Sequence, residues 1–236
     1  MNVLVLGKNS QIGKELLALK KPFNLKFFYT SSEDLNIINQ KHIKNYIDKV
    51  KPNVIINFAA YTDVDGAESD EENAFLVNSF APEFISSIAG EKNIYFINIS
   101  TDYVFNGEIS RPYDIDDLTS PVNIYGKSKA EGEIFINETL SKTNQAVIIR
   151  TSWLISSVGR NFALTILKLH KEKEKLSVVS DQIGTPTTTS SLAKACWKLI
   201  KLKSCSSSNN IQIPSICHYS DAGVASWYDL AVAIGE

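Results

Sequence analysis

Tyr125 and Lys129 stand four residues apart in the run Tyr125-Gly126-Lys127-Ser128-Lys129. On a helix that spacing sets both side chains on one face. A free phenol titrates near about 10, so at neutral pH it donates a proton but regenerates poorly. A neighbouring ammonium favours phenolate and lowers that value. The pair therefore suits protonation of an alkoxide that forms as hydride adds to a carbonyl, and the lysine can also hold a ribose. Tyr-x-x-x-Lys alone recurs by chance in many helices. It gains force from Ile99-Ser100-Thr101-Asp102-Tyr103-Val104-Phe105, which closes an apolar run. A hydroxyl at the carboxyl end of a strand can polarise a substrate carbonyl. Ser100 and Thr101 both qualify, and ordinary strand packing is the competing reading for either.

A second constellation opens the chain. Gly7-Lys8-Asn9-Ser10-Gln11-Ile12-Gly13 follows the apolar run Val3–Leu6 and precedes a helical pattern. Glycines there let the backbone turn tightly and approach a pyrophosphate, which sits on helix N-terminal N–H groups. The sequence departs from G-x-x-G-x-x-G at Ser10, a small residue that fits if its φ is negative. A plain strand–helix turn is the alternative. The next strand ends FFYTSSEDL, with Thr30, Ser31 and Ser32 at the junction where an acid normally holds the ribose 2′-OH. Either NADPH or NADH is admissible, with a modest lean to NADPH because Lys8 can approach a 2′-phosphate.

These residues need a frame, and the hydrophobic pattern supplies one. Strands are expected at Val3–Leu6, Leu25–Tyr29, Val54–Phe58, Ile94–Ile99 and Ala146–Arg150. Helices are expected at Gln11–Leu19, Lys41–Val50, about Glu71 to Gly90, and Tyr125–Leu140. Alternating apolar strands and amphipathic helices predict an α/β fold: a Rossmann-like, doubly wound parallel sheet with right-handed crossovers. This dinucleotide-binding part is expected over residues 1–150. Residues 151–236 are expected to form mainly a smaller α/β substrate-binding region, partly interleaved with the first. There the pattern predicts a helix from about Asn161 to Lys173, a strand Leu176–Val179, a helix Ser190–Leu202, a polar loop Ser204–Asn210, and a last helix capped by Ser226 with Trp227, Leu230, Ala231 and Ile234 on one face.

Composition excludes several classes. Hydrophobic residues make up 44% and charged residues 21%, and the net charge of -2 gives no electrostatic case for nucleic acid or an anionic membrane. No apolar run approaches the roughly 20 residues of a membrane helix. The N-terminus has neither the basic region nor the cleavage site of a signal peptide. Cys196, Cys205 and Cys217 lack C-x-x-C spacing, so reduced thiols and a cytoplasmic location are expected. His42, His170 and His218 are scattered and suggest no metal cluster.

The segments GKNSQIG, NFAAYTDVDGAES, STDYVFNG, SPVNIYGKSKAEGE, IRTSWLI, GRNFALTIL, VVSDQIGTPT and SWYDLA occur in this order and span essentially the whole chain. Together they resemble the dTDP-4-dehydrorhamnose reductase family of the extended short-chain dehydrogenases. The resemblance implies NAD(P)H-dependent reduction of the C4 keto group of dTDP-4-dehydro-β-L-rhamnose, a step toward surface polysaccharide. It implies a catalytic triad of Thr101, Tyr125 and Lys129. Gly7, Ser10, Gln11, Ile12 and Gly13 match the cofactor loop, Asp34 and Leu35 a pair near the adenine, and Ala59, Ala60 and Tyr61 positions near the ribose and phosphates. Val64, Asp65, Asp102, Tyr103 and Trp153 match positions around the sugar. Asn161 and the run Asp181 to Thr187 match the start of the substrate region.

The resemblance also separates relatives. Dehydratases of this superfamily carry an acid after the Thr-Asp aspartate, where this chain has Tyr103, and 4-epimerases carry a Ser-Ser-Ala type segment instead. Two other readings stay open: a reductase of a different nucleotide 4-keto-6-deoxysugar, and a non-catalytic NADP-binding module like the regulatory subunit of methionine adenosyltransferase. Some family members form a magnesium-dependent dimer, so a homodimer is also open. Members usually continue past the SWYDLA helix with an Arg-Pro-x-x-Ser-x-Leu stretch that closes the nucleotide half of the site. Near-normal cofactor binding is therefore expected here, with substrate bound at least about tenfold more weakly and apolar surface bare around Trp227 and Leu230.

Overall fold

The computed structural model describes residues 1–20, 24–172, 175–204 and 213–236. The elements run β1 (Asn2–Leu6), α1 (Gln11–Ala18), β2 (Lys26–Thr30), α2 (Gln40–Val50), β3 (Val54–Asn57), α3 (Val64–Ala67), α4 (Glu71–Phe75), α5 (Ala81–Lys92), β4 (Tyr95–Thr101), α6 (Ile124–Leu140) and β5 (Ala146–Thr151). Then follow β6 (Leu154–Ile155), α7 (Phe162–Glu172), β7 (Ile183–Gly184), β8 (Thr187–Thr188), α8 (Thr189–Ser204), β9 (Ile216–His218), β10 (Ala225–Ser226) and α9 (Trp227–Gly235).

Among the described residues the main sheet has six strands in the order β2-β1-β3-β4-β5-β9, every neighbouring pair parallel. Its strands are apolar on both sides because both faces are covered. Val3, Val5, Ile56, Ile97 and Ile149 pack with Leu16 of α1 and Leu192, Cys196 and Ile200 of α8. The alternate residues Leu4, Ile55, Phe96 and Ile148 pack with Ile43 and Ile47 of α2, Ile85 of α5 and Ile136 of α6. Period-2 alternation in the strands thus meets i,i+4 spacing in the helices, which is the doubly wound α/β arrangement expected.

Three expectations need correction. The sheet does not stop at Arg150, since β9 extends it and α8 covers it beside α1. Leu176–Val179 is not a strand: among the described residues no strand pairs with it, and the Val179 carbonyl instead accepts the Tyr228 N–H of α9. The long helix after β3 is broken by a π-helical turn over Leu76–Phe80 between α4 and α5. The apolar exposure expected around Trp227 and Leu230 is present, although Trp227 itself stacks on Trp153. Apolar exposure at that end falls on Val224, Tyr228 and Val232. Most of the polar loop expected at Ser204–Asn210, and Lys173, lie outside the described residues. The Ser226 cap is a full capping box: its hydroxyl accepts from Asp229 N–H while the Asp229 carboxylate accepts from Ser226 N–H.

Candidate active site

The carboxyl ends of β1 to β5 carry nearly all the residues singled out by their chemistry, which is where open parallel sheets bind ligands. At β1 the chain turns through Gly7 with φ 82°. A Cβ there would stand 2.7 Å from the Ala59 nitrogen, so only glycine lets this loop lie on the end of β3. Ser10 has φ -64° and ψ 160°, and its hydroxyl accepts from the Gly13 N–H at 3.0 Å. Serine replaces the middle glycine without strain because it serves as the N-cap of α1. The first-turn N–H groups of Gln11 and Ile12 have no carbonyl a turn earlier within the helix, so they are free for an anion. The Gln11 side chain accepts from Asn161 at 2.9 Å and donates to the Arg160 carbonyl at 3.1 Å, which ties the loop to the start of α7.

Beside β2 the picture differs from expectation. The junction Thr30-Ser31-Ser32 carries no acid in sequence, yet the chain curls back and brings Asp34 to it. The Asp34 carboxylate accepts from the Ser31 N–H, the Ser31 hydroxyl and Lys8 Nζ. Leu35 and Ile12, 1% and 5% exposed, point into the core, so any contact they make with a cofactor is through the backbone. Ala59, Ala60 and Tyr61 follow β3 and are partly exposed. Asn57 shapes their turn, accepting from Ala59 N–H and donating to Asn98.

The end of β4 and the start of α6 form the reactive corner. Thr101 accepts a hydrogen bond from the Tyr103 N–H at 3.2 Å and donates to Asp102 at 3.1 Å. Its hydroxyl also lies near enough to the Tyr125 phenol to favour the charged form of that phenol. Tyr103 meets Tyr125 edge-on, with ring centroids 5.7 Å apart. Asn123 caps α6 by accepting from the Gly126 N–H, which starts the helix one residue before Tyr125. Gly126 lies so close against the Tyr103 carbonyl that a Cβ would overlap it, and the helix therefore seats tightly on the Thr101–Tyr103 turn. Ser100 lies on the other face of β4, which leaves Thr101 as the hydroxyl at the tyrosine.

Lys129, 5% exposed, lies one turn beyond Tyr125 and donates to the Ile99 carbonyl at 2.6 Å. Burial lowers its ammonium to about 8, opposed by the charge of Glu133. Burial pushes the Tyr125 phenol up to about 12, opposed by the Thr101 hydroxyl. The expected lowering of the phenol by lysine is therefore not met in this state: desolvation dominates, and Lys129 turns to a main-chain carbonyl. Burial also raises Asp102 to about 6, against hydrogen bonds that favour its charged form.

Three groups escaped the sequence reading. Asn78, 1% exposed in the π turn, accepts from Tyr61 N–H and donates to the Tyr61 carbonyl and the Ser128 hydroxyl. It thereby fixes the β3 loop to α6; π turns often mark such sites. Glu133 and Arg150 form a buried pair behind Lys129, with Nη2–Oε2 2.7 Å. Thr151 is the register partner of Thr101 in β5, and its hydroxyl is buried without a hydrogen-bond partner, as is that of Ser100. Residue spacing carries no signal for any of them, since each partner comes from a distant element.

Past β5, Trp153 adopts φ 44°, a left-handed conformation uncommon outside glycine, and stacks on Trp227 at 3.5 Å. The DQIGTPT run is pinned beside it: Ser152 donates to the Thr185 carbonyl and Thr187 N–H to the Trp153 carbonyl. Val64 and Asp65 sit on α3; burial raises the Tyr103 phenol, and the charges of Asp102 and then Asp65 add to that.

A glycine cradle under a helix N-terminus, orphaned hydroxyls at the neighbouring strand ends, and a Thr–Tyr–Lys corner fit a nicotinamide dinucleotide and a carbonyl substrate. The class so defined is the nicotinamide-dependent oxidoreductases of extended short-chain dehydrogenase type. The family described as RmlD substrate binding domain matches residues 1–236. The chain is 38% identical to the spore coat polysaccharide biosynthesis protein SpsK of Bacillus subtilis (strain 168), over 99% of this chain and 78% of that protein. It is 37% identical to the dTDP-4-dehydrorhamnose reductase of Escherichia coli (strain K12), over 100% of this chain and 78% of that protein. The crystal structure of dTDP-4-dehydrorhamnose reductase from Bacillus anthracis in complex with NADP superposes with TM-score 0.89 at 34% identity, covering 99% of this chain and 79% of that one. At such identity over the whole chain, this protein belongs to the dTDP-4-dehydrorhamnose reductase family.

Proposed function

We propose that this chain reduces the C4 keto group of dTDP-4-dehydro-β-L-rhamnose, giving dTDP-L-rhamnose. The observation that carries the reading is the corner where the Thr101–Tyr103 turn packs against Tyr125 and Gly126 while Lys129 lies buried one turn on. The bound cofactor, NADPH or NADH, supplies the hydride. Thr101 donates to the C4 oxygen, and Tyr125 gives that oxygen its proton as negative charge develops there. The phenol holds its proton at pH 7, and because burial raises it to about 12 its donation needs a group that stabilises the phenolate. Lys129 offers its ammonium to stabilise the phenolate left behind. Gly7, Ser10, Gln11, Ile12 and Gly13 hold the pyrophosphate, Ala59 to Tyr61 face the ribose, and Asp34 and Leu35 lie toward the adenosine. Val64, Asp65, Asp102, Tyr103 and Trp153 surround the sugar. Tyr103 in place of a second acid favours simple reduction over dehydration, and an intact corner favours catalysis over a purely regulatory role.

We further place the reaction in the cytoplasm, where reduced nicotinamide nucleotides and free thiols coexist. Among the described residues no helix is long and apolar enough to cross a membrane. The exposed Val224, Tyr228 and Val232 make self-association into a homodimer testable by sedimentation. Nicotinamide oxidation followed with dTDP-4-dehydro-β-L-rhamnose and with other nucleotide 4-keto-6-deoxysugars tests the substrate. The rhamnose precursor should give the highest kcat/KM; a better turnover of another sugar would replace it.

A further inference from the structure

The first turn of the sheet carries a charge pair that the proposed reaction does not use. Gly7 and Lys8 both donate their backbone N–H to the Thr30 carbonyl, at 2.9 and 2.8 Å, so the phosphate loop is tied to the end of β2. Lys8 Nζ then reaches Asp34 Oδ2 at 2.5 Å, and the same oxygen takes the Ser31 N–H at 2.9 Å and the Ser31 hydroxyl at 2.8 Å. These donors, Lys8 first, hold the Asp34 carboxyl below the usual carboxylate range. In a Rossmann-type sheet the 2′ position of the adenosine ribose lies at the end of this second strand. An acid there accepts the 2′-OH and repels a 2′-phosphate, whereas a base does the reverse. Here both stand together and neutralise one another.

We propose that Lys8 is the 2′-phosphate-binding residue of this chain and that Asp34 masks it, so that this pair sets the choice between NADPH and NADH. The inference rests on the reading that a nicotinamide cofactor binds along this edge. The side chains are 34% and 44% exposed, and ion pairs so solvated are weak. A 2′-phosphate, carrying more charge than one carboxylate, displaces Asp34 from the lysine. Asp34 keeps its two bonds from Ser31 and does not become an orphan. With NADH the pair stays closed, and the carboxylate still has acceptor capacity for a 2′-OH. Because each cofactor meets one favourable partner and one adverse group, the wild-type chain discriminates weakly, within about tenfold.

Calorimetric titration of the whole chain with 2′,5′-ADP, 5′-ADP, NADPH and NADH tests this without any turnover. Lys8→Met should weaken 2′,5′-ADP and NADPH by about tenfold or more, and 5′-ADP and NADH by less than about threefold. Lys8→Arg should restore most of the NADPH affinity. Asp34→Asn should tighten 2′,5′-ADP several-fold and weaken NADH. Thermal melts of the variants check that the fold persists. Equal weakening of both cofactors by Lys8→Met, or none, overturns the assignment of the lysine. An unchanged ratio in Asp34→Asn overturns the masking. Failure of every adenosine fragment to bind the wild-type chain would sink the cofactor reading itself, a result distinct from binding without 2′ preference.

Discussion

Replacing Arg150 by methionine isolates a charge that the fold has buried. Arg150 and Glu133 are 5% and 3% exposed. Arg150 Nε lies 3.1 Å from both Glu133 oxygens, and Nη2 lies 2.7 Å from Oε2. The guanidinium also faces the Phe105 ring at 5.0 Å and meets His218 Nε2 at 3.3 Å. Removing one member of such a pair typically costs about 3–5 kcal/mol, because the survivor stays desolvated and alone. That is a large share of the roughly 5–15 kcal/mol that stabilises a folded domain. With a urea slope of about 3 kcal/mol per M at the upper end of the usual range, the unfolding midpoint should fall by at least about 1 M. Replacing both partners, Arg150→Met with Glu133→Leu, should recover most of the loss, since a well-packed apolar pair is often as stable. Urea unfolding of the wild type, both single variants and the double variant completes the cycle. A single-variant cost below about 1 kcal/mol, or a double variant that merely sums the singles, would refute the reasoning that the pair is dry and coupled.

Two further outcomes follow from the same corner. Asp102 sits at about 6 against an ordinary 3.8, so between those values the folded chain binds more protons than the unfolded one and stability falls as pH rises. Asp102→Asn should flatten the unfolding free energy from about pH 4 to about pH 6; an unchanged slope would show the carboxyl to be solvated. Gly126→Ala sets a Cβ onto the Tyr103 carbonyl and must push α6 off the Thr101 turn. It should cost about 1–3 kcal/mol in melts and lower kcat more than it raises the cofactor Kd. A wild-type kcat in the Gly126→Ala variant would mean that the helix seating does not position Tyr125.

Much of this arrangement is legible in residue order because it is built from local rules. Short continuous apolar runs at β1, β3, β4 and β5 and the i,i+4 spacing in α2 mark sheet and helices. Tyr125 and Lys129 share a face by helical geometry, and Thr101 falls at a strand end where apolar runs stop. What escaped was made by distance in sequence. Resemblance alone places Asp34 near the adenine; its bond with Lys8, twenty-six positions away, is what residue order does not announce. Arg150 in β5 finds Glu133 in α6 across seventeen positions. Asn78 sits in a π turn that ordinary helical periodicity does not mark. The segment Leu176–Val179 has strand-like residues but, among the described residues, no strand to pair with, so tertiary context overrode local preference.

In the proposed reaction Tyr125 protonates the C4 oxygen at a site whose cofactor half is independent of it. The most direct measurement is turnover of NADPH with dTDP-4-dehydro-β-L-rhamnose, alongside NADPH affinity, for the wild-type chain and for Tyr125→Phe. Losing one positioned acid should lower kcat by about 10²–10⁴-fold while the NADPH Kd changes by less than about threefold. Tyr125→Phe turning over at the wild-type rate would contradict the account.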